Sequence, residues 1–437
     1  MKKVLSAVIA LAMAVSAGLF FGADKAEAVP AFARQMKMPC KSCHFQHFPK
    51  LNAFGRAFKS NGYTDVAVDT IEGDWGTSLP ANLNLSWVEK IRYMKKVARD
   101  SSPQATGSTR GEFQVPDEGA LFFGGRVAEH IGAAIEMTTA VGVDGLSWAN
   151  GTLVFGHDLE SLHTHVGMTI WSTDAQGVFW GKELFNTGVQ QGLKGWENRR
   201  ETMAAVGPIA GDYQGMTWYA THEWFFAALG FAAPGLPGGV DFGSDVGGTY
   251  RFAITPPQVL GFDWMVGVYG QYGGSSFGGS SAGNDRTDVS LQANGADFQI
   301  QGNVTEGITL EVDGNFLYDT DNPSARNHFD IGGQDYHRYQ IGFDLGFLND
   351  RLITKFNYLY TSARATGSVR GDDGWQRKGA DVVSLGAYWN IRENVSLRPE
   401  ISWTVGSDTC AAENNCGMAR NQIRQDTQGT VMLFFAF

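Results

Sequence analysis

From about Asn82 to the C-terminus, the sequence repeats segments of about ten residues in which apolar and polar side chains alternate. Residues 395–405 carry Val, Leu, Pro, Ile, Trp and Val on one face and Ser, Arg, Glu, Ser and Thr on the other. Residues 339–347 and 310–313 alternate in the same way. A period of two places one set of side chains on each face of a strand. The repeats therefore predict either a soluble sandwich or a transmembrane barrel.

The lengths of the connections distinguish these two folds. Short connections are predicted at 129–131, 158–161, 221–223, 255–258, 304–307, 348–351 and 391–394. Longer stretches rich in Gly, Ser, Asp and Asn lie at about 97–116, 172–212, 273–296, 320–335, 364–378 and 406–428. Short periplasmic turns that alternate with long external loops are typical of outer-membrane barrels. The sequence thus predicts an all-β, porin-like barrel of about 16 strands in the bacterial outer membrane.

The end of the chain and the composition favour the same fold. Residues 430–437 end on Phe437, with aromatic residues before it, and resemble the C-terminal signal strand of outer-membrane proteins. Glycine is frequent at 56 residues, and charged residues make up only 18%. The net charge of −11 argues against a nucleic-acid partner, because such proteins carry basic patches.

The N-terminus carries an export signal. Lys2 and Lys3 precede an apolar run over 4–21, and Ala26-Glu27-Ala28 is a small-x-small cleavage site. We expect a signal peptide at 1–28, with an uncleaved anchor as the alternative. The mature chain would then comprise a small segment at 29–75 and the barrel at 76–437, with outer-membrane lipid around the barrel.

Cys40-Lys41-Ser42-Cys43-His44 is a C-x-x-C-H motif, the spacing with which c-type haem is attached. We expect one covalent haem c, with thioethers at Cys40 and Cys43 and His44 as the proximal iron ligand. A zinc site completed by His47, or a disulfide within the motif, is the alternative. A redox C-x-x-C pair belongs in a thioredoxin-like context, which this sequence does not provide.

The rest of the 29–75 segment predicts a short helix at 51–60, with Phe54 and Phe58 on one face and Gly62 at its end. A segment of fewer than about fifty residues rarely folds without help. We expect it to plug the barrel lumen; a small domain hanging in the periplasm is the alternative.

The sixth iron ligand is left open by the sequence. Met36, Met38 and His47 are the nearest candidates, and a wall residue such as His163 or His165 is the alternative. Arg56 and Lys59 could pair with the haem propionates, or they could lie on a solvated helix face.

Two further groups of residues bear on function. Cys410 and Cys416 are predicted to form a disulfide in the last external loop, with a metal site as the less favoured reading. Alternation places Glu311, Asp313, Asp344 and Glu400 in the lumen, where they could attract Fe²⁺. Ordinary lumen polarity, with Arg338, Lys355 and Arg398 as counter-charges, is the favoured reading.

The order of parts resembles the fused monohaem cytochrome–porin family of outer-membrane iron oxidases from Fe(II)-oxidising bacteria. The resemblance is strongest over 32–35, the motif at 40–44, residues 48–59 and Gly62-Tyr63. It implies an Fe(II) oxidase, an iron:cytochrome c oxidoreductase, that takes electrons from extracellular Fe(II). A periplasmic c-type cytochrome or similar carrier would receive them.

Other functions stay open from the sequence. The same parts could export electrons to an external acceptor or accept electrons from another donor. A diffusion porin with a haem-containing plug, and a soluble haem sensor, are the remaining alternatives.

Overall fold

The computed structural model describes most of the chain. The described residues are 31–47, 50–97, 111–140, 145–173, 213–234, 246–277, 287–319, 336–361, 380–404 and 427–437. The expected signal peptide and the expected Cys410–Cys416 disulfide lie outside these residues, so both stay predictions.

Sixteen antiparallel strands form one closed barrel, as the repeats predict. The strands are β3 (Leu85–Val97), β4 (Glu112–Ala128), β5 (Ile131–Ala140), β6 (Ser147–Leu159), β7 (Thr164–Thr173), β8 (Tyr213–His222), β9 (Phe225–Pro234), β10 (Gly247–Ile254), β11 (Phe262–Phe277), β12 (Thr287–Thr305), β13 (Ile308–Asp319), β14 (Tyr336–Phe347), β15 (Leu352–Thr361), β16 (Ala380–Arg392), β17 (Val395–Thr404) and β18 (Thr427–Ala436). The last strand closes the barrel against the first, with Ala436 opposite Val88. Trp87 and Phe437 exchange backbone hydrogen bonds of 2.8 and 2.9 Å. Closure gives every strand of the barrel a partner on both sides.

Each predicted short turn overlaps an observed one, with ends that differ by up to three residues, but two predicted loops are too long. The loop expected at 273–296 is mostly strand, because β11 runs to Phe277 and β12 begins at Thr287. Ser275 pairs with Val289 in this extension. The loop expected at 97–116 shrinks in the same way, since β4 begins at Glu112. Pairing with a neighbouring strand outweighs the low strand propensity of Gly and Ser there.

The two faces of the wall differ in polarity, as expected for a membrane barrel. On β13, Glu311 is 0% exposed and Phe316 is 44% exposed. On β17, Arg398 is 1% exposed and Ile401 is 43% exposed. Polar side chains thus point inward and apolar ones outward, where they face lipid. A closed barrel of this kind is an integral protein of the bacterial outer membrane.

The N-terminal segment lies inside the barrel as a plug. It consists of α1 (Ala31–Met36), a 3₁₀ turn at Cys40–Ser42, α2 (Ala53–Ser60) and a two-stranded sheet of β1 (Thr70–Glu72) and β2 (Ser78–Pro80). This small sheet spans the predicted boundary at residue 75, because Thr70 pairs with Pro80, and the barrel wall begins only at β3. In the part of the chain that the structure describes, no helix is long and apolar enough to cross a membrane.

Helix α2 is capped at its start by Asn52 and ends just before Gly62. The side chain of Asn52 caps it by accepting a hydrogen bond of 2.9 Å from the backbone N–H of Gly55. Gly62 adopts a φ of 69°, and the N–H of Tyr63 bonds the carbonyl of Phe58, which is a glycine-terminated helix end. Phe58 is buried, whereas Phe54 is 42% exposed, so only one of the two expected aromatic contacts is made.

Candidate functional site

The C-x-x-C-H motif forms one tight turn. The backbone N–H groups of Cys43 and His44 both bond the carbonyl of Cys40, at 3.1 and 2.9 Å. This turn places the two half-buried thiols one helical turn apart, and neither cysteine is in a disulfide. The disulfide alternative for the motif is therefore not formed in this structure.

His44 is held in one orientation by the residues that follow it. Its Nδ1 lies 3.0 Å from the carbonyl oxygen of Lys50, and His44 forms an isolated bridge with Leu51. We assign the ring proton to Nδ1, because a carbonyl can only accept. An iron bound by this histidine would then be held by Nε2, which is the usual arrangement of a ligating histidine.

The turn packs directly on α2. A Cβ at Gly55 would lie 2.1 Å from the carbonyl oxygen of Cys43, so only glycine allows the approach. The side-chain amide of Asn52 also donates to the carbonyl of Ser42 at 2.9 Å. The thiols and the imidazole are therefore held in fixed positions relative to α2, at the spacing that a covalent haem c would use. The chain's own residues at this site fit such a group.

The surroundings of the two cysteines keep both side chains in the thiol form. Burial, helped by Glu393, raises the pKa of Cys40 to about 11, and burial raises the pKa of Cys43. The thiolate is the form that attacks disulfides and binds zinc. High thiol pKa values therefore leave both cysteines without the thiolate that disulfide exchange needs at neutral pH.

The motif lies at the end of the barrel that carries the short turns. Glu393, whose carboxylate helps to raise the pKa of Cys40, lies in the turn between β16 and β17. Lys41 is close enough to Asp350, in the turn between β14 and β15, for its positive charge to favour the carboxylate form. Asn390 donates to the carbonyls of Gln46 (3.3 Å) and Asp350 (2.7 Å). Because short turns face the periplasm in such barrels, the motif lies at the periplasmic mouth of the lumen.

A charged wall holds Gln46, His47 and Lys50 of the plug. Its members are buried inward side chains of β12 to β17: Gln299, Glu311, Asp313, Asp344, Lys355, Tyr388, Arg398 and Glu400. Lys50, 1% exposed, bonds Asp344 and lies 3.0 Å from Glu311 and 3.8 Å from Asp313. Burial alone would lower the pKa of Lys50, but the carboxylates of Asp344, Glu311 and Asp313 outweigh it and raise the pKa. Lys50 is therefore an ammonium ion at neutral pH, locked into the wall.

This arrangement gives the lumen acids partners within the protein, as the interpretation of ordinary lumen polarity expects. Glu311, Asp313 and Asp344 surround Lys50, and Asp344 also bonds Lys355. Glu400 accepts a hydrogen bond of 3.1 Å from Tyr388. In the described part of the chain, no group of three or more His, Cys, Asp and Glu side chains is arranged to hold a metal ion.

The candidate distal ligands lie in two different environments. His47 is buried in the charged wall, with Nε2 2.9 Å from Nζ of Lys355 and its ring 4.6 Å from that of Tyr388. Met36 is buried in an apolar cluster, against which Met38 packs. The choice among the three stays a prediction.

The candidate propionate partners lie on α2. Arg56 is buried and donates to the carbonyl of Leu51 at 3.3 Å and to Oε1 of Gln299 at 3.0 Å. Lys59 is half-buried on the same helix. Arg56 therefore joins the plug to the wall, which is a role that the sequence did not indicate.

An apolar wall holds the other side of the plug. It is formed by inward side chains of β6 to β13, and the plug residues Met36, Phe58 and Tyr63 pack against it. Its members are Val154, Trp171, Tyr219, Phe226, Ala228, Ala232, Ala253, Met265, Tyr269 and Leu317. Tyr219 also donates to the carbonyl of Ser60 at 2.6 Å. A Cβ at Gly132 would lie 1.7 Å from the carbonyl oxygen of Gly62, so plug and wall backbones touch there.

Comparisons with known proteins give only distant likenesses of fold. No protein-family model and no curated protein matches the sequence. OmpF of Salmonella typhi, solved in a complex with daunomycin, is 12% identical with a TM-score of 0.46, over 84% of this chain and 100% of that one. OmpT of Vibrio cholerae is 10% identical with a TM-score of 0.44, over 85% and 100%. A mutant of the Rh. blastica porin is 10% identical with a TM-score of 0.46, over 81% and 99%.

A cavity of about 660 Å³ lies on the opposite face of α2 from the motif. It is bounded by Ala53 and Ala57 of α2, by Asn61 at the end of that helix, and by the turns after β6, β8 and β10. His165, 9% exposed, lines it and bonds Oδ1 of Asp158 through Nδ1 at 2.7 Å. His163, the other wall candidate, is exposed in the turn beside it. Both histidines therefore lie at the periplasmic rim.

Lys50 is the residue whose role sequence reasoning missed. It lies within the stretch that resembles the cytochrome–porin family, but nothing in that stretch gives it a partner. A signal was present in the alternation, which places four carboxylates in the lumen. Buried carboxylates require cations, and the nearest lysine after the motif is Lys50.

Proposed function

We propose that this protein is an outer-membrane c-type cytochrome fused to a porin-like barrel, and that it oxidises extracellular Fe(II). Electrons pass through its single haem to a periplasmic c-type cytochrome or similar carrier. The observation that carries the proposal is the position of the C-x-x-C-H turn, on a plug inside a closed barrel and at its periplasmic mouth. The choice of Fe(II) as the electron donor rests on the resemblance to the cytochrome–porin family.

Each part of the chain has a task in this proposal. Cys40 and Cys43 would hold the haem, and His44, oriented by the carbonyl of Lys50, would bind its iron. The haem, when bound, supplies a one-electron couple. The wall contacts of Lys50 and Arg56 keep the plug in place, so the group stays near the periplasmic carrier. Glu160, Glu223 and Glu393 are exposed in the turns at that mouth and suit a basic carrier.

The first experiment mixes the oxidised, haem-loaded protein with Fe(II) without oxygen and follows the absorbance band of reduced haem. The proposal expects rapid reduction whose rate rises with Fe(II) concentration. The same haem-loaded protein mixed with oxygen-free buffer that lacks Fe(II) is the control for reduction by contaminants. A haem that stays oxidised with Fe(II) and is reduced by dithionite would remove iron as the donor and leave the cytochrome.

Reversed electron flow is distinguished by the haem potential. A donor to external iron oxides needs a low potential, whereas an acceptor of electrons from Fe(II) needs a higher one. A redox titration of the purified protein measures this directly. A potential below that of the iron oxides would favour electron export.

A diffusion porin is the second candidate, and the porin-like barrel itself favours it. Conductance of the protein in planar bilayers tests this function. A closed channel is expected from the contacts that the plug makes with both walls. Large, steady conductance of the haem-loaded protein would instead favour diffusion, with the haem segment as a partial plug.

A further inference from the structure

Lys50 contacts the haem motif and the barrel wall at the same time. Its backbone carbonyl lies 3.0 Å from Nδ1 of His44 and also accepts the N–H of Phe45 at 3.0 Å. Its ammonium group bonds Asp344 and lies 3.0 Å from Glu311. A single residue thus connects the proximal histidine to strands β13 and β14.

The wall side of this connection is rigid. Glu311 is held by a hydrogen bond of 3.0 Å from Gln299, and Asp344 is shared between Lys50 and Lys355. Lys50, Glu311, Asp344 and Lys355 are each no more than 3% exposed. Buried, mutually paired charges have few alternative arrangements, because any movement leaves a charge uncompensated. The position of the Lys50 side chain is therefore set by the barrel.

The motif side depends on that position. The hydrogen bond that a ligating histidine donates through its second ring nitrogen fixes the ring and increases its basicity. Here the acceptor is the backbone of a residue whose side chain is anchored in the wall. Arg56 also joins the plug to the wall, but its hydrogen bonds go to Leu51 and Gln299.

We propose that Lys50 is a positioning residue for the proximal histidine, through which Asp344 and Glu311 of the barrel wall tune the haem iron. The barrel then acts on the iron as well as enclosing the plug. This inference rests on the proposed covalent haem at the motif. It does not depend on the identity of the electron donor.

The sign of a potential change separates positioning from simple charge. In Lys50→Met, a positive charge disappears, and charge alone would stabilise ferric iron and lower the haem potential. Loss of positioning weakens the hydrogen bond of His44 and makes it a poorer donor to ferric iron, which raises the potential. We expect a rise, equivalent to about a tenfold change in the redox equilibrium, or about 59 mV for one electron.

The experiment compares purified, haem-loaded variants by redox titration and by electron paramagnetic resonance of the ferric form. Lys50→Met and Asp344→Asn are both expected to raise the potential and to change the g values in the same direction. Lys50→Arg keeps the cation and is expected to restore both signals. Arg251→Met removes a buried wall cation paired with Asp297 and serves as the matched control.

Two results would overturn the inference. One is a lowered potential in Lys50→Met with unchanged g values, which would reduce Lys50 to a point charge. The other is no change in either signal. If Lys50→Met fails to fold, as judged by heat-dependent gel mobility, Lys50→Gln replaces it, because glutamine retains a hydrogen-bond donor. The haem potential of Lys50→Gln is also expected to rise. Absence of covalent haem from the wild-type protein on a haem-stained denaturing gel would instead refute the proposed function itself.

Discussion

The two walls of the lumen hold the same plug by different physical means. The charged wall binds it through directed contacts, such as Lys50 with Asp344 and Arg56 with Gln299. The apolar wall binds it by burying Phe58 and Tyr63. Directed contacts fix positions but are sensitive to geometry, whereas apolar burial is tolerant of small shifts. The residues that orient His44 lie against the charged wall, where position matters most.

The largest effect is expected from removing the cation at the charged wall. Lys50→Met leaves Asp344, Glu311 and Asp313 short of a counter-charge in a buried site. Removing one partner of a buried ion pair typically destabilises by about 3–5 kcal/mol, and three carboxylates place this change at the upper end. The urea midpoint at which protease begins to cut the plug measures the loss. Lys90→Met, at a partly exposed pair with Glu118, is the control, and an equal loss there would contradict the expectation.

At the apolar wall, Phe58→Ala creates a cavity where the side chain is 5% exposed. Such truncations cost about 3–5 kcal/mol in a well-packed core, and we expect the lower end because the lumen can relax. The same protease assay in urea gives the size of the effect.

Phe54→Ala is the matched control for this truncation, because Phe54 lies on the same helix but is 42% exposed. Its effect should be much the smaller. Similar losses for the two variants would mean that the apolar wall contributes little to holding the plug.

Some features of the two walls follow from the sequence, and others depend on contacts between distant residues. Strand number, polarity and the short turns follow from local alternation, which is why they were predicted correctly. The ends of β11 and β12 were not, because pairing between Ser275 and Val289 depends on the neighbour rather than on residue type. The separation of the lumen into a charged wall and an apolar wall could not be predicted either. Alternation reports that Glu311 faces inward, but not that Lys50 lies opposite it.

Backbone contact at the apolar wall gives a smaller effect. Gly132→Ala places a Cβ 1.7 Å from the carbonyl oxygen of Gly62, so the plug must move. Overpacking of this kind costs about 1–3 kcal/mol. Gly429→Ala, on β18 with nothing within 4 Å of the added atom, is the control. Unchanged protection of the plug in Gly132→Ala would show that plug and wall are less closely packed than the structure indicates.

The smallest effect is expected at Asp350, next to the periplasmic end of the charged wall. Asp350 lies in the turn below it and accepts a hydrogen bond from Thr309, with Lys41 as its cation. Burial raises its pKa despite these two contacts. A carboxyl with a raised folded-state pKa binds its proton more tightly in the folded protein. Its ionisation therefore destabilises the fold, and stability falls as pH rises from the unfolded value of about 3.9 through the folded pKa.

Asp350→Asn removes that ionisation and keeps the oxygen that faces Thr309. Asparagine also tolerates the φ of 64° found at this position, so the turn should be retained. We expect the variant to be more stable than the wild type at pH 7 by a few tenths of a kcal/mol, within the usual range for turn substitutions. The gain should vanish below about pH 4, where the wild-type carboxyl is protonated. Urea unfolding at the two pH values measures it, and a variant that is less stable at pH 7 would mean that Lys41 extends the charged wall down to the turn.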